Sequence, residues 1–524
     1  METNNNNEYE YKGQTGQYVP VGPAKQTINH FALQAAAAQK EGAEHFKKYG
    51  LLSLVFGLIY SFCLYNNHSS ITYPIFMLCA LIILKLIRGK DNLSLITDCN
   101  GKKGLGIFYV VSLMLLSIHR CLTTSFALAF WERTAIFMLF FSYVIYLYVD
   151  TTGFSIGEWF IGLFYTIIKP LEHCSRPLSD YIAHMKQKNQ NATSEKKRTI
   201  RAVLIGIAIA VPLLLVIIPL LCSADMVFKN VLTTINLDFS ITEELYHTIM
   251  MFVTAVLVFW SAYTIITSLI AKELKVKIYD LGTKDPVIAI TFTGIIGIVY
   301  LLFCIIQLLY LFGGNIALPQ GYTYAQYAHE GFYQLLAVCI INIIMVSICQ
   351  TYFRESKILK ALLTTIAGCT YIMIASSAMR MILYIGVYHL TFLRLFVLWF
   401  LVVLCFWLAF LIASMYIKNF PVFRAGMVTI TIAFLIFIYS NPEYRIAKYD
   451  IEASGRNLSA QSSDVSYIKW SLSYDAVPAL AGNELLINEY KDGRSDFRTD
   501  DEKKYTGFRR FNVSYNLAQK YLYE

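Results

Sequence analysis

Stretches without a single Asp, Glu, Lys or Arg recur along the chain, at residues 49–84, 202–222, 248–271, 286–328, 331–353, 361–379, 395–417 and 425–442. A helix needs roughly 20 apolar residues, at 1.5 Å each, to cross the hydrocarbon core of a bilayer. The pattern predicts spans at 49–65, 69–88, 104–119, 133–149, 202–222, 247–271, 287–312, 332–352, 361–387, 392–416 and 422–440. The expected fold is therefore all-α: a polytopic integral membrane helix bundle of about eleven spans. After 440 the long apolar runs stop, and 441–524 predicts a small, mainly helical extracytoplasmic C-terminal appendage, with short helices at 464–476 and 514–523 and Pro478 breaking the first.

The segments between runs set the domain plan. Residues 1–48 read as a cytoplasmic N-terminal segment, disordered over the Asn-, Gly- and Tyr-rich 1–26 and helical over 28–48, with no short cleavable signal ahead of the first span. Residues 49–170 hold the first membrane helices. Within them, 154–170 is apolar but carries Glu158, and a charge near mid-membrane costs roughly 2.5–3.5 kcal/mol on insertion scales. That segment reads as interfacial or re-entrant. Residues 171–201 form a basic cytoplasmic loop, 202–440 the C-terminal membrane bundle, and 441–524 the tail. With 154–170 not crossing, every strongly basic loop falls on one side, which places the N-terminus in the cytoplasm and the C-terminus outside.

Composition agrees with this picture: 56% hydrophobic, 15% charged, and a mean hydropathy of +0.50, against about 25% charged in soluble domains. The net charge of +9 resides in short inter-span loops, as orientation signals do, without a basic arm interleaved with aromatics, so no nucleic-acid partner is expected. The eleven cysteines lie mostly in apolar runs without a CxxC pair and read as small buried apolar residues. No metal-ligand spacing, nucleophile elbow, phosphate loop or paired-carboxylate motif is present. The sequence thus assigns no catalytic residue, no metal and no cofactor, and points away from an enzyme.

The candidate binding residues lie on the outer side. Arg380 is about 20 residues, or roughly 30 Å, beyond the inner edge of its span, at the outer margin. Arg394 follows Thr391, which reads as the N-cap of the next span. A cation in that first turn opposes the helix dipole by about 0.3–1 kcal/mol and calls for a partner. Glu330 is the acidic candidate, with Tyr324 and Tyr327 on a shared helical face, and a Glu330–Arg380 or Glu330–Arg394 pair is expected at the rim. Asp225 reads as a structural cap of a surface helix.

Several stretches together resemble an uncharacterised bacterial membrane family, the domain of unknown function DUF4173, a relative of DUF4153. They are Ser223–Phe228, Tyr324–Leu335, Arg380–Tyr384 with Leu390–Arg394, Asn441–Ala447, Leu472–Pro478 and Phe511–Ser514. Met226 stands where the resemblance leads to proline, and His329 where it leads to arginine. The resemblance implies the bacterial cytoplasmic membrane and no activity. Two functional classes follow. One is a non-enzymatic scaffold or sensor whose tail meets an envelope protein partner at the surface of the lipid bilayer. The other is a transporter or lipid-handling protein with an anionic-headgroup site at the outer rim.

Overall fold

The computed structural model describes residues 9–11, 18–20, 30–67, 69–101, 104–151, 154–189, 243–271, 282–311, 324–418, 420–455, 462–495 and 498–523, with five isolated positions between 206 and 221. The span expected at 202–222 and the surface helix after Asp225 lie almost wholly outside these residues. Among the described residues strands are confined to one antiparallel pair, β1 (Tyr9–Tyr11) and β2 (Tyr18–Pro20), within the segment the sequence predicts to be disordered.

The other described elements are helices. Helix α1 (His30–His45) continues through a π turn at Phe46–Gly50 into α2 (Leu51–Leu64). There follow α3 (Thr72–Gly89), α4 (Gly106–Leu122), α5 (Phe126–Tyr148), α6 (Ile156–Glu172) and α7 (Arg176–Asn189). Next come α8 (Glu243–Ile270), α9 (Pro286–Leu311), α10 (Tyr324–Tyr352), α11 (Lys357–Tyr388), α12 (Phe392–Tyr416) and α13 (Val422–Tyr439). The tail holds α14 (Pro442–Ser454), α15 (Ser463–Ser471), α16 (Val477–Leu480), α17 (Glu484–Arg494), α18 (Arg498–Tyr505) and α19 (Val513–Tyr523). Pro478 lies in the first turn of α16, where its missing N–H is harmless. It starts a helix after the 3₁₀ turn Tyr474–Ala476 rather than breaking one.

Among the described residues nine helices are long and apolar enough to cross a membrane, and α4 and part of α6 are shorter apolar helices. Their outward faces are those of a protein in lipid. Along α9, Ile295, Ile298, Leu302, Ile305 and Leu309 recur on one face and are all more than half exposed, an apolar stripe that water would not tolerate. The protein is a polytopic helical membrane protein.

Lipid tails give helices no hydrophobic reason to associate, so close packing and hydrogen bonds hold the bundle together. The α2–α8 contact shows how. Ser53, Gly57 and Ser61 form a buried small-residue stripe on α2, and the Ser61 hydroxyl donates to the Met251 carbonyl. A Cβ at Gly57 would stand 2.5 Å from the Ala255 carbonyl oxygen and 2.9 Å from the Phe259 nitrogen, both backbone atoms that cannot step aside. Gly57→Val is expected to force the helices apart at about 1–3 kcal/mol, visible as a lowered thermal midpoint in detergent; an unchanged midpoint would refute the close approach.

One core joins α9 to α12 around Cys339, Val346, Ile366 and Leu408, and a second joins α3, α4, α5 and α13 around Leu113, Tyr143, Leu147 and Ile438. Helix α13 bridges the two, through Trp399 Nε1 to the Ala433 carbonyl (3.0 Å) on one side and Tyr439 Oη to the Leu115 carbonyl (2.9 Å) on the other. At the end of the bundle away from the tail, Arg88 is fully buried. It donates to the carbonyls of Leu147, Ser94 (3.1 Å), Thr97 (2.8 Å) and Asp98 (3.2 Å), placing a cation on the C-terminus of α5.

Candidate functional site

The turns α2–α3, α4–α5 and α11–α12 and the end of α13 all meet the tail, and the meeting surface is built on carboxylates. Asp475 is the centre. It is 4% exposed and accepts from Thr123 Oγ1 (2.5 Å), Thr124 N (2.8 Å), Thr124 Oγ1 (2.8 Å) and Ser514 Oγ (2.6 Å). Two of those residues belong to the α4–α5 turn and one to α19, so a single side chain joins the middle of the tail and its last helix to the bundle. The backbone places it there: Leu472 is extended, Ser473 caps the following 3₁₀ turn with its hydroxyl, and Arg494 donates to the Leu472 carbonyl (2.8 Å) while stacking on Tyr474 and Tyr490.

Glu443 lies close by. Asn441 adopts φ 49°, a left-handed conformation that asparagine tolerates, and its side chain caps α14 at Tyr444 N. Pro442 then starts the helix, and Glu443 turns inward to accept from Ser473 N at 2.7 Å. Burial, and after it the negative charge of Asp475, raises the Glu443 carboxyl to about 7. An unfolded glutamate titrates near 4.5. The folded junction therefore favours the protonated acid, and this contribution is intact below about pH 4.5 and lost as the pH rises through about 7. Tail docking should weaken across that window in the wild type and lose this slope in Glu443→Gln. Thermal midpoints at about pH 5 and pH 8 test this, and parallel slopes in both proteins would remove Glu443 as the cause.

Two further anchors complete the junction. Asn512, fully buried, donates from Nδ2 to the carbonyls of Ser69 (3.3 Å) and Thr123 (2.9 Å), and caps α19 by accepting from Tyr515 N (3.0 Å). Beside it Ile71 N donates to the Phe511 carbonyl (2.9 Å), and Asn67 Nδ2 to the Arg509 carbonyl (3.0 Å). At the α11–α12 turn, Asp450 accepts from Leu390 N (2.9 Å), and burial raises its carboxyl to about 6. His389, at φ 59°, is held through Nδ1 on Asp464 (2.7 Å), which also accepts from Ser454 (2.5 Å). Leu390, Phe392 and Leu395 pack into the tail's own core of Ile446, Ile468, Leu480 and Tyr515, so the start of α12 is shared between bundle and tail.

Arg394 finds its partner within the chain. Its guanidinium donates to the carbonyls of Tyr388 (2.6 Å) and His389, at the C-terminus of α11, and lies 4.2 Å from the Tyr384 ring centroid. The charge that opposes one helix dipole thus complements the dipole of the helix before it. Thr391 occupies the N-cap position of α12, but its hydroxyl makes no capping bond. Arg380 packs its guanidinium against Gly331. A cavity of about 220 Å³ opens between Phe332, Tyr333, Met381, Tyr384, Thr391 and Arg394. The side chains of Tyr324, Tyr327 and Glu330, and all of Asp225, lie outside the described residues, so the pairing expected of Glu330 has no geometry here.

The sequence reading missed the charge inside the first half of the bundle. It set Arg120 and Glu132 between spans and Arg133 at the first position of a span, whereas α4 runs on to Leu122 and α5 begins at Phe126. Glu132 is fully buried, bonded to His119 Nδ1 and, at 3.1 Å, to Arg120 Nη1. The signal lay in Thr123-Thr124-Ser125: the Ser125 hydroxyl caps α5 at Leu128 N, which puts Glu132 within the second turn. Farther along, the polar seam of α9–α11 is neutral: Tyr300 Oη donates to Asn342 Oδ1 (2.7 Å), and Asn342 Nδ2 to Thr370 Oγ1 (2.9 Å).

Chemically, the junction binds the chain to itself. Glu443 and Asp475 are 3% and 4% exposed, too enclosed for a substrate, and among the described residues no group of His, Cys, Asp and Glu could hold a metal ion. Four of the stretches that carry the family resemblance converge here: Asn441–Ala447, Leu472–Pro478, Phe511–Ser514 and Leu390–Arg394. No curated protein and no solved structure matches the chain. A family model does match, that of DUF4153, the relative of the family the motifs resemble; it is described as a domain of unknown function and covers residues 104–483, well over half of the chain, which therefore belongs to that family.

Proposed function

We propose that the protein is a non-enzymatic scaffold or sensor of the bacterial cytoplasmic membrane, acting through an outer face formed jointly by the tail and the helix turns. The observation that carries this reading is Asp475, through which one tail carboxylate grips the α4–α5 turn while Asn512 and Asp450 grip the α2–α3 and α11–α12 turns. A load or ligand on the tail is thereby delivered to three helix pairs at once. Lys48, Lys90, Lys284, Arg354, Lys360 and Arg424 belong to the opposite end of the bundle, which supports a cytoplasmic N-terminus and an outer tail. Helix α6 meets Ser142 through Trp159 (2.8 Å), and Arg176 just beyond it meets Ser268 (3.3 Å), both near that same end. This supports an interfacial rather than a crossing segment at 154–170. The motif stretches support the narrower DUF4173 assignment.

The test is affinity capture in mild detergent with the full chain and with Asp475→Ala. An envelope protein retained by the wild type and lost from the variant supports the reading. Identical partners on both, with the variant's tail shown to be released, defeat it.

The second reading, lipid handling at the outer rim, draws on the 220 Å³ cavity lined in part by Arg394, with Arg380, Glu330, Tyr324 and Tyr327 as the further binding residues that the sequence nominates. The neutral seam of α9–α11 counts against ion-coupled transport, which usually buries ionisable groups near the midplane.

A further inference from the structure

A groove of about 430 Å³ lies where the start of α5 meets α18 of the tail. Its floor is Phe126, Ala129, Phe130 and Phe137 of α5, and its upper wall is Lys504 and Tyr505, with hydroxyls from Ser69, Thr124, Ser125 and Thr134. Phe126, Phe130, Arg133 and Phe137 recur every three or four residues and so share one face of the helix. The phenylalanines are 88%, 61% and 43% exposed in turn, and Arg133 is exposed among them. Its neighbour Glu132 faces the other way, into the buried pair with Arg120. At 1.5 Å per residue, Arg133 stands about 10 Å and Phe137 about 16 Å from the helix start. The groove therefore carries Lys504 and the hydroxyls of Ser69, Thr124 and Ser125 at its tail end, while its aromatic floor runs from Phe126 past Arg133 to Phe137 toward the hydrocarbon. An arginine at that depth extends toward the headgroups.

We propose that this groove holds an anionic phospholipid, its phosphate between Arg133 and Lys504 and one acyl chain along Phe130 and Phe137. The pairing of two cations with an aromatic floor selects a lipid over a soluble anion, because a free phosphate would leave the floor uncovered. The proposal stands apart from the scaffold reading, although Thr124 belongs both to this groove and to the Asp475 junction.

The experiment is native mass spectrometry of the delipidated full chain titrated with phosphatidylglycerol, phosphatidylcholine or glycerol phosphate. Phosphatidylglycerol should bind at least about tenfold more tightly than phosphatidylcholine, with the preference lost in R133Q/K504Q and kept in R133K/K504R. Filling the floor with Ala129→Trp should weaken both lipids. Equal binding of the two lipids, equal loss in the Gln and charge-keeping variants, or glycerol phosphate competing at parity with the lipid would each overturn the assignment.

Discussion

Asp475→Ala is expected to release the tail from the bundle while leaving the membrane helices folded. The substitution removes the acceptor for four donors, two of them on Thr124 and one each on Thr123 and Ser514. Hydrogen bonds to a charged group contribute about 1.5–3 kcal/mol each, and every donor left buried without a partner adds a desolvation penalty of similar size. Such terms are not additive, so a loss of about 3–5 kcal/mol is the reasonable scale, comparable to breaking a buried charged contact. That is enough to undock a small domain whose own core, around Ile446, Ile468, Leu480 and Tyr490, remains intact. Hydrogen exchange should report it as faster exchange at the amides of Thr124, Leu390 and Ile71, the first losing Asp475 directly and the others their tail partners Asp450 and Phe511. Amides within the tail's helices should stay protected. Acceleration confined to Thr124 would mean that the remaining anchors hold the tail without Asp475.

Glu132→Leu should cost the bundle about as much, by a different route. Arg120 is fully buried and bonded to Glu132, and its guanidinium lies 5.0 Å from the Tyr73 ring centroid. Without the carboxylate a cation stays buried with its main counter-charge gone, which costs about 3–5 kcal/mol. The same reasoning makes the double change Glu132→Leu with Arg120→Met milder than the single one, since an apolar replacement of a buried pair is often neutral or stabilising. Thermal midpoints in detergent of the single and double variants decide the matter, and a double variant no more stable than Glu132→Leu would rule out the pair as the cause. His119, bonded to the other carboxylate oxygen and set against the Tyr439 ring at 4.9 Å, links this site to α13 and so to the start of the tail. Glu132→Leu should therefore also loosen the junction, whereas Asp475→Ala should not loosen the Glu132 pair.

Which helices are long and apolar enough to cross was largely legible because the hydrocarbon core imposes a length and forbids uncompensated charge, so uncharged runs near 20 residues name themselves. The same rule misplaced the α4–α5 turn. Arg120, Glu132 and Arg133 interrupt the run, and a one-dimensional reading cannot know that Glu132 and Arg120 neutralise each other across a hairpin. Arg394 shows the complementary limit. Its awkward place at a helix N-terminus was visible, but the answer lay in the carbonyls of Tyr388 and His389, which the α11–α12 turn folds back onto it. The junction was visible only in fragments: Asn441-Pro442-Glu443, Asp475 and Asn512 stood out as motif positions, and the resemblance implied that outer-face motifs and tail act as one unit, but not which groups bond.

By itself, the sequence determined the membrane and the helical class, because hydropathy over a span depends only on the residues within it. The tertiary structure decided which polar groups are partnered, and therefore that the tail is fastened to the helix turns through buried carboxylates. A buried polar group is tolerated or not according to atoms that lie hundreds of residues away, as Asp475 does from Thr123 and Asn512 from Ser69.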